Sequence, residues 1–149
     1  MKEIITNTEQ ETKKLAYKIA KNINKENCVI VLNGELGAGK TKFTEGFLKY
    51  FGLENEISSP TFTIVNEYQN DKIKIFHFDV YRLSDIDEFY AIGGEEYFSK
   101  GICIIEWGEI IKDILPDNHI EIIIEKDEEV FNRRIIKIIT KSIDFLEKI

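Results

Sequence analysis

Hydrophobic residues along this chain follow two spacings, one typical of helices and one typical of buried strands. A capping-box pattern at residues 8–11 precedes apolar residues at helical spacing, which predicts a first helix over 8–24. The β-branched run at 28–32 predicts a buried strand. Apolar residues then return at helical spacing over 41–51 and stop at Gly52, which predicts a second helix with a glycine cap.

The second half of the chain continues this alternation. Strand-like residues 61–68 and 73–80 flank the polar segment 69–72, which predicts a hairpin, and Ser84 is placed to cap a short acidic helix ending near residue 90. The remaining predicted elements are strands at 102–105, 120–125 and 134–140, a helix at 107–115 and a terminal helix. The pattern predicts an α/β fold of three layers, with a mixed sheet flanked by helices.

Composition and charge narrow the class of protein. With 149 residues and 43% apolar content, we expect one domain over residues 1–149. The absence of an apolar signal region or a bilayer-length apolar stretch predicts a cytoplasmic protein with no membrane partner. Cys28 and Cys103 lie in apolar runs, as expected of reduced thiols in neighbouring strands. The net charge of -7 argues against direct binding to a nucleic-acid backbone, so any RNA would be held by another protein.

A phosphate-binding motif joins the first predicted strand to the second predicted helix. Residues 34–41 satisfy G-x-x-x-x-G-K-[ST] in the strand-to-helix context that the motif requires. Its glycines let backbone N–H groups surround a phosphate, Lys40 can reach the β- and γ-phosphates, and the Thr41 hydroxyl can ligate Mg²⁺. A chance glycine-rich turn is the alternative. The motif predicts a P-loop NTPase-like fold.

Two carboxylates follow buried strands, where phosphoryl transfer needs acidic groups. Asp79 follows the run at 73–78 and suits a metal-holding role, and Glu106 follows the strand at 102–105 in the same way. Each could instead be a solvated carboxylate that closes a strand. The predicted catalytic residues are therefore Lys40, Asp79 and Glu106, and the predicted Mg²⁺ ligands are Thr41, Asp79 and Glu106.

Other residues near these motifs allow two interpretations each. His77 alternates with phenylalanines on a strand, which favours a structural role over that of a catalytic base. Arg82 suits a phosphate contact or a surface ion pair, and Trp107 suits the core, a nucleotide cover or an interface. Residues 58–61 form either a switch that senses the γ-phosphate or a simple turn.

Five segments together carry a resemblance to a known family. They are GELGAGKT at 34–41, SPTF at 59–62, HFDVYRL at 77–83, GEEYF at 94–98 and IEWGE at 105–109. In order and spacing they resemble the TsaE family over roughly the whole chain. The later segments are more particular to this family than the first, which many NTPases share.

The resemblance implies a function and partners. TsaE proteins are bacterial ATPases that work with TsaD and TsaB to form N6-threonylcarbamoyladenosine in tRNAs that read codons beginning with A. The resemblance implies an ATPase with Mg²⁺ as cofactor, weak alone and dependent on partners, that drives remodelling of the partner complex. Contact with tRNA would be indirect, through that complex.

Site residues carry over from the family by position. Lys40 and Thr41 would bind phosphate and Mg²⁺, Asp79 would be the Walker B acid, and Glu106 the second metal-site acid. The implied ATP-binding set is Thr8, Gly34, Glu35, Leu36, Gly37, Ala38, Gly39, Lys40, Thr41 and Lys42. The implied switch and other functional residues are Ser59, Pro60, Thr61 and Trp107.

Two positions depart from the family's usual pattern. Lys42 replaces a small hydroxyl residue that commonly follows the P-loop threonine, which bears on contact with the α-phosphate. Asn132, Arg133 and Arg134 stand where the family often has a Gly-Arg pair. Which of the two arginines, if either, touches nucleotide stays open.

Three alternatives to a partner-activated ATPase differ in how well the sequence supports them. A small-molecule kinase would need several arginines and a lid, for which little chain remains. A GTPase would carry an Asn-Lys-x-Asp motif, which the sequence lacks. A nucleotide-gated interaction module with little turnover stays open, with an acidic docking surface as a minority hypothesis. That surface would comprise Asp85, Asp87, Glu88, Glu95 and Glu96.

Overall fold

A computed structural model of the chain describes residues 1–56, 65–81 and 83–149. Its strands are β1 (Lys2–Thr6), β2 (Cys28–Gly34), β3 (Val65–Gln69), β4 (Lys74–Asp79), β5 (Ile102–Glu106), β6 (Ile120–Lys126) and β7 (Arg134–Ile139). Its α-helices are α1 (Glu9–Asn22), α2 (Lys40–Tyr50), α3 (Ile86–Ala91) and α4 (Ile143–Lys148). Short 3₁₀ helices cover Glu54–Glu56, Gly94–Ser99 and Gly108–Ile114.

The seven strands form one mixed sheet in the order β1-β7-β6-β2-β5-β4-β3. The central strands β6, β2, β5 and β4 pair in parallel. Antiparallel pairs complete the sheet, with β3 beside β4 at one edge and β7 and β1 beyond β6 at the other. This mixed sheet with helices against it confirms the predicted α/β fold.

Apolar side chains on the two faces of the sheet form separate cores. On one face, Ile104 of β5 belongs to a cluster with Ile19 of α1 and Phe43 of α2. On the other face, Phe78 of β4 clusters with Phe89 of α3 and with residues from the last two 3₁₀ helices and their flanks. Because strand side chains alternate between faces, β2, β4 and β5 each contribute to both cores, whereas the buried residues of β6 belong to the first core only.

The parallel strands end at the same edge of the sheet, and this edge positions the site. Asp79 at the end of β4 lies opposite Glu106 at the end of β5, and Leu32 of β2 lies on the other side of Glu106. The loop between β2 and α2 therefore begins beside both carboxylates. Ligands of open α/β sheets bind at this carboxyl edge.

Two local predictions differ from the structure, and one strand has no predicted counterpart. Strand β1 was not predicted, although its residues alternate between more exposed and more buried positions against β7. Asp85 caps α3 in place of the predicted Ser84, because the Asp85 side chain accepts from the Glu88 N–H. The helix predicted at 107–115 is a 3₁₀ helix with a non-helical residue at Ile111.

The predicted hairpin is confirmed by the pairing of β3 with β4, whose turn is closed by the Asn70 side chain accepting from the Lys72 and Ile73 N–H groups. Cys28 and Cys103 are free thiols on the adjacent strands β2 and β5, as predicted. No helix in the described parts of the chain combines the length and apolar character needed to cross a membrane.

Candidate functional site

The loop after β2 has the backbone shape of a phosphate cradle. Gly37 and Gly39 adopt φ angles of +78° and +113°, which side chains beyond glycine rarely tolerate. Gly39 is the residue preceding α2, so the loop delivers its backbone directly to the N-terminus of a helix. The helix dipole and the first free N–H groups favour an anion at this point.

Lys40, the first residue of α2, is held between an acid and an aromatic ring. Its Nζ lies 3.8 Å from Glu106 Oε1 and 4.0 Å from the centroid of the Trp107 ring. Burial lowers the pKa of Lys40, and the nearby carboxylates of Glu106 and Asp79 partly oppose that shift. The ammonium group is thus partly desolvated, and the neighbouring carboxylates favour its charged form.

Glu106 is held by the neighbouring strand as well as by Lys40. Its Oε2 lies 2.6 Å from Nε2 of the buried His77 on β4. Asp79, two residues along β4 from His77, accepts a hydrogen bond from the Tyr81 N–H at 3.0 Å. His77, Asp79 and Glu106 all line the same cavity.

Trp107 adopts a left-handed backbone conformation, with φ of +62°. Directly after it, a Cβ on Gly108 would lie 2.8 Å from Val31, so the chain packs closely onto β2 there. The indole also contacts the Tyr81 ring at a centroid distance of 5.2 Å. Strained non-glycine residues cluster at functional sites, which fits the position of Trp107 beside Lys40.

A cavity of about 390 Å³ joins these groups, a size within the range of small-ligand sites. One wall is the loop and the start of α2, residues 36–42. The second wall carries His77, Asp79, Glu106 and Trp107 from the ends of β4 and β5. The third carries Glu9, Thr12, Asn132 and Arg134, from α1 and from the start of β7 and the residues before it.

The structure brings together most of the predicted site residues. Leu36, Gly37, Ala38, Gly39, Lys40, Thr41, Lys42, Asp79, Glu106 and Trp107 all line the cavity. Thr8, Gly34 and Glu35 are described but do not line it. Ser59, Pro60, Thr61 and Arg82 lie outside the described residues, so the switch prediction stays a prediction.

Thr8 caps α1. Its hydroxyl accepts a hydrogen bond from the Glu11 N–H at 3.1 Å, as the capping-box pattern predicts. Residues farther along the same helix, Glu9 and Thr12, line the cavity instead. The N-terminal region thus reaches the site through Glu9 and Thr12 of α1, whereas the resemblance indicated Thr8.

The two C-terminal arginines have different partners. Arg134 lines the cavity and donates from Nε to the Ala38 carbonyl at 2.7 Å, which joins β7 to the phosphate loop. Arg133 donates to the Asn7 side chain at 2.9 Å and lies 3.8 Å from Asp127. Of the two arginines, Arg134 is therefore the one that lines the cavity. No local sequence signal linked it to Ala38, which lies 96 residues away along the chain.

The acidic stretch at 85–96 partly serves the local fold. Asp85 accepts from the Glu88 N–H, and the Glu88 side chain accepts from the Ser84 N–H, which together form a capping arrangement at α3. Glu95 and Glu96 lie exposed in the 3₁₀ helix that starts at Gly94. Asp85, Asp87, Glu88, Glu95 and Glu96 are all exposed, so the hypothesis of an acidic docking surface keeps its five residues and stays a prediction.

The donor atoms at the site fit a magnesium ion. Within residues 1–56, 65–81 and 83–149, no three His, Cys, Asp or Glu side chains converge in a way that could hold a metal ion. Mg²⁺ is usually bound by one or two carboxylates together with substrate phosphates and water. The Thr41 hydroxyl and the Asp79 and Glu106 carboxylates supply oxygen ligands of this kind on the walls of one cavity.

A family model described as "Threonylcarbamoyl adenosine biosynthesis protein TsaE" matches residues 6–135. The chain belongs to the TsaE family. Proteins named "tRNA threonylcarbamoyladenosine biosynthesis protein TsaE" are similar to it over most of its length. The one from Rickettsia felis is 43% identical over 97% of this chain and 86% of that protein. The one from Bacillus subtilis is 41% identical over 78% of this chain and 73% of that protein.

The fold of this TsaE-family chain matches a solved structure. The crystal structure of YdiB from Bacillus subtilis superposes with a TM-score of 0.72 and 30% identity, covering 99% of this chain and 90% of that chain. The predicted P-loop NTPase-like fold is thereby confirmed. The TsaE family and this fold together indicate nucleotide hydrolysis in general terms.

Proposed function

We propose that this TsaE-family chain binds ATP with Mg²⁺ and hydrolyses it, in support of the formation of N6-threonylcarbamoyladenosine in tRNA. The observation that carries the proposal is the convergence of Lys40, Asp79 and Glu106 on one cavity at the phosphate loop. In P-loop enzymes, catalysis consists mainly of positioning and electrostatic stabilisation, which requires these kinds of groups at this place.

Each group has a role that follows from its position. The loop backbone and the N-terminus of α2 hold the phosphates, and Lys40 neutralises charge on the β- and γ-phosphates. Phosphate oxygens would then compete with Glu106 for the Lys40 ammonium, which lies 3.8 Å from that carboxylate. Glu106, released from this contact, orients the attacking water towards the γ-phosphate.

The Mg²⁺ ion would be held by Thr41 and Asp79, with Glu106 as a further oxygen ligand. When bound, it neutralises charge on the phosphate oxygens during transfer. Arg134 lies beside the loop on the cavity wall, where its bond to the Ala38 carbonyl holds the loop and its guanidinium adds a positive charge. The Trp107 ring lies 4.0 Å from the Lys40 ammonium and would limit its movement.

We propose that turnover is weak alone and rises when TsaD and TsaB bind, and that hydrolysis drives remodelling of that complex. P-loop proteins often hydrolyse slowly until a partner completes the site. With a net charge of -7, the chain lacks the basic excess typical of direct RNA binding, so tRNA contact would pass through the partners. The site of action would be the cytoplasm, where tRNA is modified.

The test is Mg²⁺-dependent ATP hydrolysis by the wild-type chain, Lys40→Ala and Glu106→Ala, each alone and with TsaD, TsaB and tRNA. Lys49→Ala and Glu109→Ala serve as matched controls, because both residues are exposed on nearby helices. We expect weak hydrolysis alone, a rise with partners, and loss in the two site variants only. If the wild type binds ATP but never exceeds the variants, the chain is instead a nucleotide-gated interaction module.

A further inference from the structure

A buried histidine on the neighbouring strand contacts the candidate catalytic carboxylate. His77 is 3% exposed, and its Nε2 lies 2.6 Å from Glu106 Oε2. Burying an imidazole costs free energy unless its nitrogens find partners. An apolar side chain would fill this position on β4 without that cost, so the short contact with Glu106 is the feature that sets His77 apart from the rest of the core.

The partners of the ring fix the direction of its hydrogen bonds. An ionised Glu106 can only accept, so His77 Nε2 carries the hydrogen. In the neutral ring, Nδ1 is then an acceptor, and the Tyr68 hydroxyl lies 3.5 Å from it. The chain of contacts thus runs from Tyr68 on β3 through His77 on β4 to Glu106 on β5, across three adjacent strands.

The two oxygens of Glu106 have different partners. Oε2 contacts His77, and Oε1 lies 3.8 Å from Lys40 Nζ. A glutamate side chain has several rotatable bonds, and one short bond to a rigid, buried ring restricts them. The contact with His77 therefore holds the carboxylate at the cavity wall, including when phosphate competes for Lys40.

We propose that His77 is the positioning residue for Glu106, holding the carboxylate in the orientation that directs the attacking water. The inference rests on the proposed function, because it assigns a role within ATP hydrolysis. His77 acts through Glu106 and does not itself touch the reacting atoms. Its loss therefore lowers the turnover number and leaves nucleotide affinity nearly unchanged.

Two substitutions separate positioning from simple core filling. His77→Leu fills the space but cannot donate, whereas His77→Gln keeps an N–H donor near the position of Nε2. We expect kcat to fall about 10-fold or more in His77→Leu, which is the scale of the loss when residues that hydrogen-bond to metal ligands are mutated. In His77→Gln, we expect kcat to recover in part. His119→Gln, at the chain's other histidine, is the control.

The experiment measures kcat, KM for ATP, ADP affinity by calorimetry and the thermal unfolding midpoint for each variant, with TsaD, TsaB and tRNA present for kinetics. Equal kcat in wild type and His77→Leu overturns the positioning role. A loss of activity that parallels a lower thermal unfolding midpoint across the variants also overturns it. An equal loss of kcat in His77→Leu and His77→Gln does the same. Absence of hydrolysis by the wild type itself would refute the proposed function, and the role of His77 with it.

Discussion

The Lys40 ammonium lies 4.0 Å from the centroid of the Trp107 ring, in the geometry of a cation–π contact. The two residues come from different elements, because Lys40 begins α2 and Trp107 follows β5. The contact places an aromatic ring beside the group that would bind phosphate. It also makes the ring a reporter on that group, since the chain has one tryptophan.

Binding of ATP with Mg²⁺ should change tryptophan emission, because phosphate oxygens draw the Lys40 ammonium away from the indole. We expect Lys40→Met to alter the basal emission and to abolish the nucleotide-dependent change. Lys49→Met, an exposed position on the same helix, should behave as wild type. Nucleotide binding detected by calorimetry without any change in emission would contradict the contact as a reporter.

Replacing Arg134 should weaken nucleotide binding more than replacing Arg133. Arg134 lies on the cavity wall, where its guanidinium could donate to a bound phosphate, and a hydrogen bond from a charged group contributes about 1.5–3 kcal/mol. We expect Arg134→Gln to raise the Kd for ADP about tenfold, since each tenfold step is about 1.4 kcal/mol. Arg133→Gln should leave Kd nearly unchanged, and equal losses in calorimetry would refute the distinction.

Thr8 should affect stability rather than nucleotide affinity. Its hydroxyl caps α1 by accepting from the Glu11 N–H, and loss of such a cap costs about 1 kcal/mol. Thr8→Ala should lower the free energy of unfolding in urea by that amount, and Thr8→Ser should restore it. A marked loss of ADP affinity in Thr8→Ala, with stability unchanged, would instead favour the ATP-binding role that the family resemblance implied.

The two thiols should make the protein less stable at alkaline pH. Burial raises the pKa of Cys28 and that of Cys103 to about 12, from an ordinary value of 9.0. Between these values the unfolded state releases thiol protons that the folded state keeps, so the free energy of unfolding falls as pH rises above about 9. Urea unfolding across this range should show a shallower fall in a Cys28→Ala, Cys103→Ala variant than in wild type.

Reactivity of the thiols gives an independent check on the same burial. The folded protein at pH 8 should react slowly with a thiol reagent, because both groups stay protonated and Cys103 is buried. Reaction should become fast in urea above the unfolding midpoint. Fast reaction of both thiols in the folded state would show that the raised pKa values are wrong.

The elements that were well predicted are those in which local chemistry and tertiary packing agree. The first helix begins after the capping threonine that its sequence indicates, and the phosphate loop lies between a strand and a helix as its motif requires. Strand β1 has no clear signal because its five residues carry a weak alternation, and in the folded chain, where β1 pairs with β7, Ile4 is partly buried and Thr6 is buried. The cap of α3 was misplaced by one residue, a normal error where two capping residues are adjacent.

By itself, the sequence determined the α/β class, the phosphate loop and the two acids at strand ends, because helix periods, β-branched runs and the motif are local properties. Only the tertiary structure decided which distant groups meet there. Parallel pairing of β4 with β5 set Asp79 against Glu106 and brought His77 to the same carboxylate. The antiparallel return of β7 carried Arg134 to Ala38, a contact between residues 96 positions apart that no local pattern encodes.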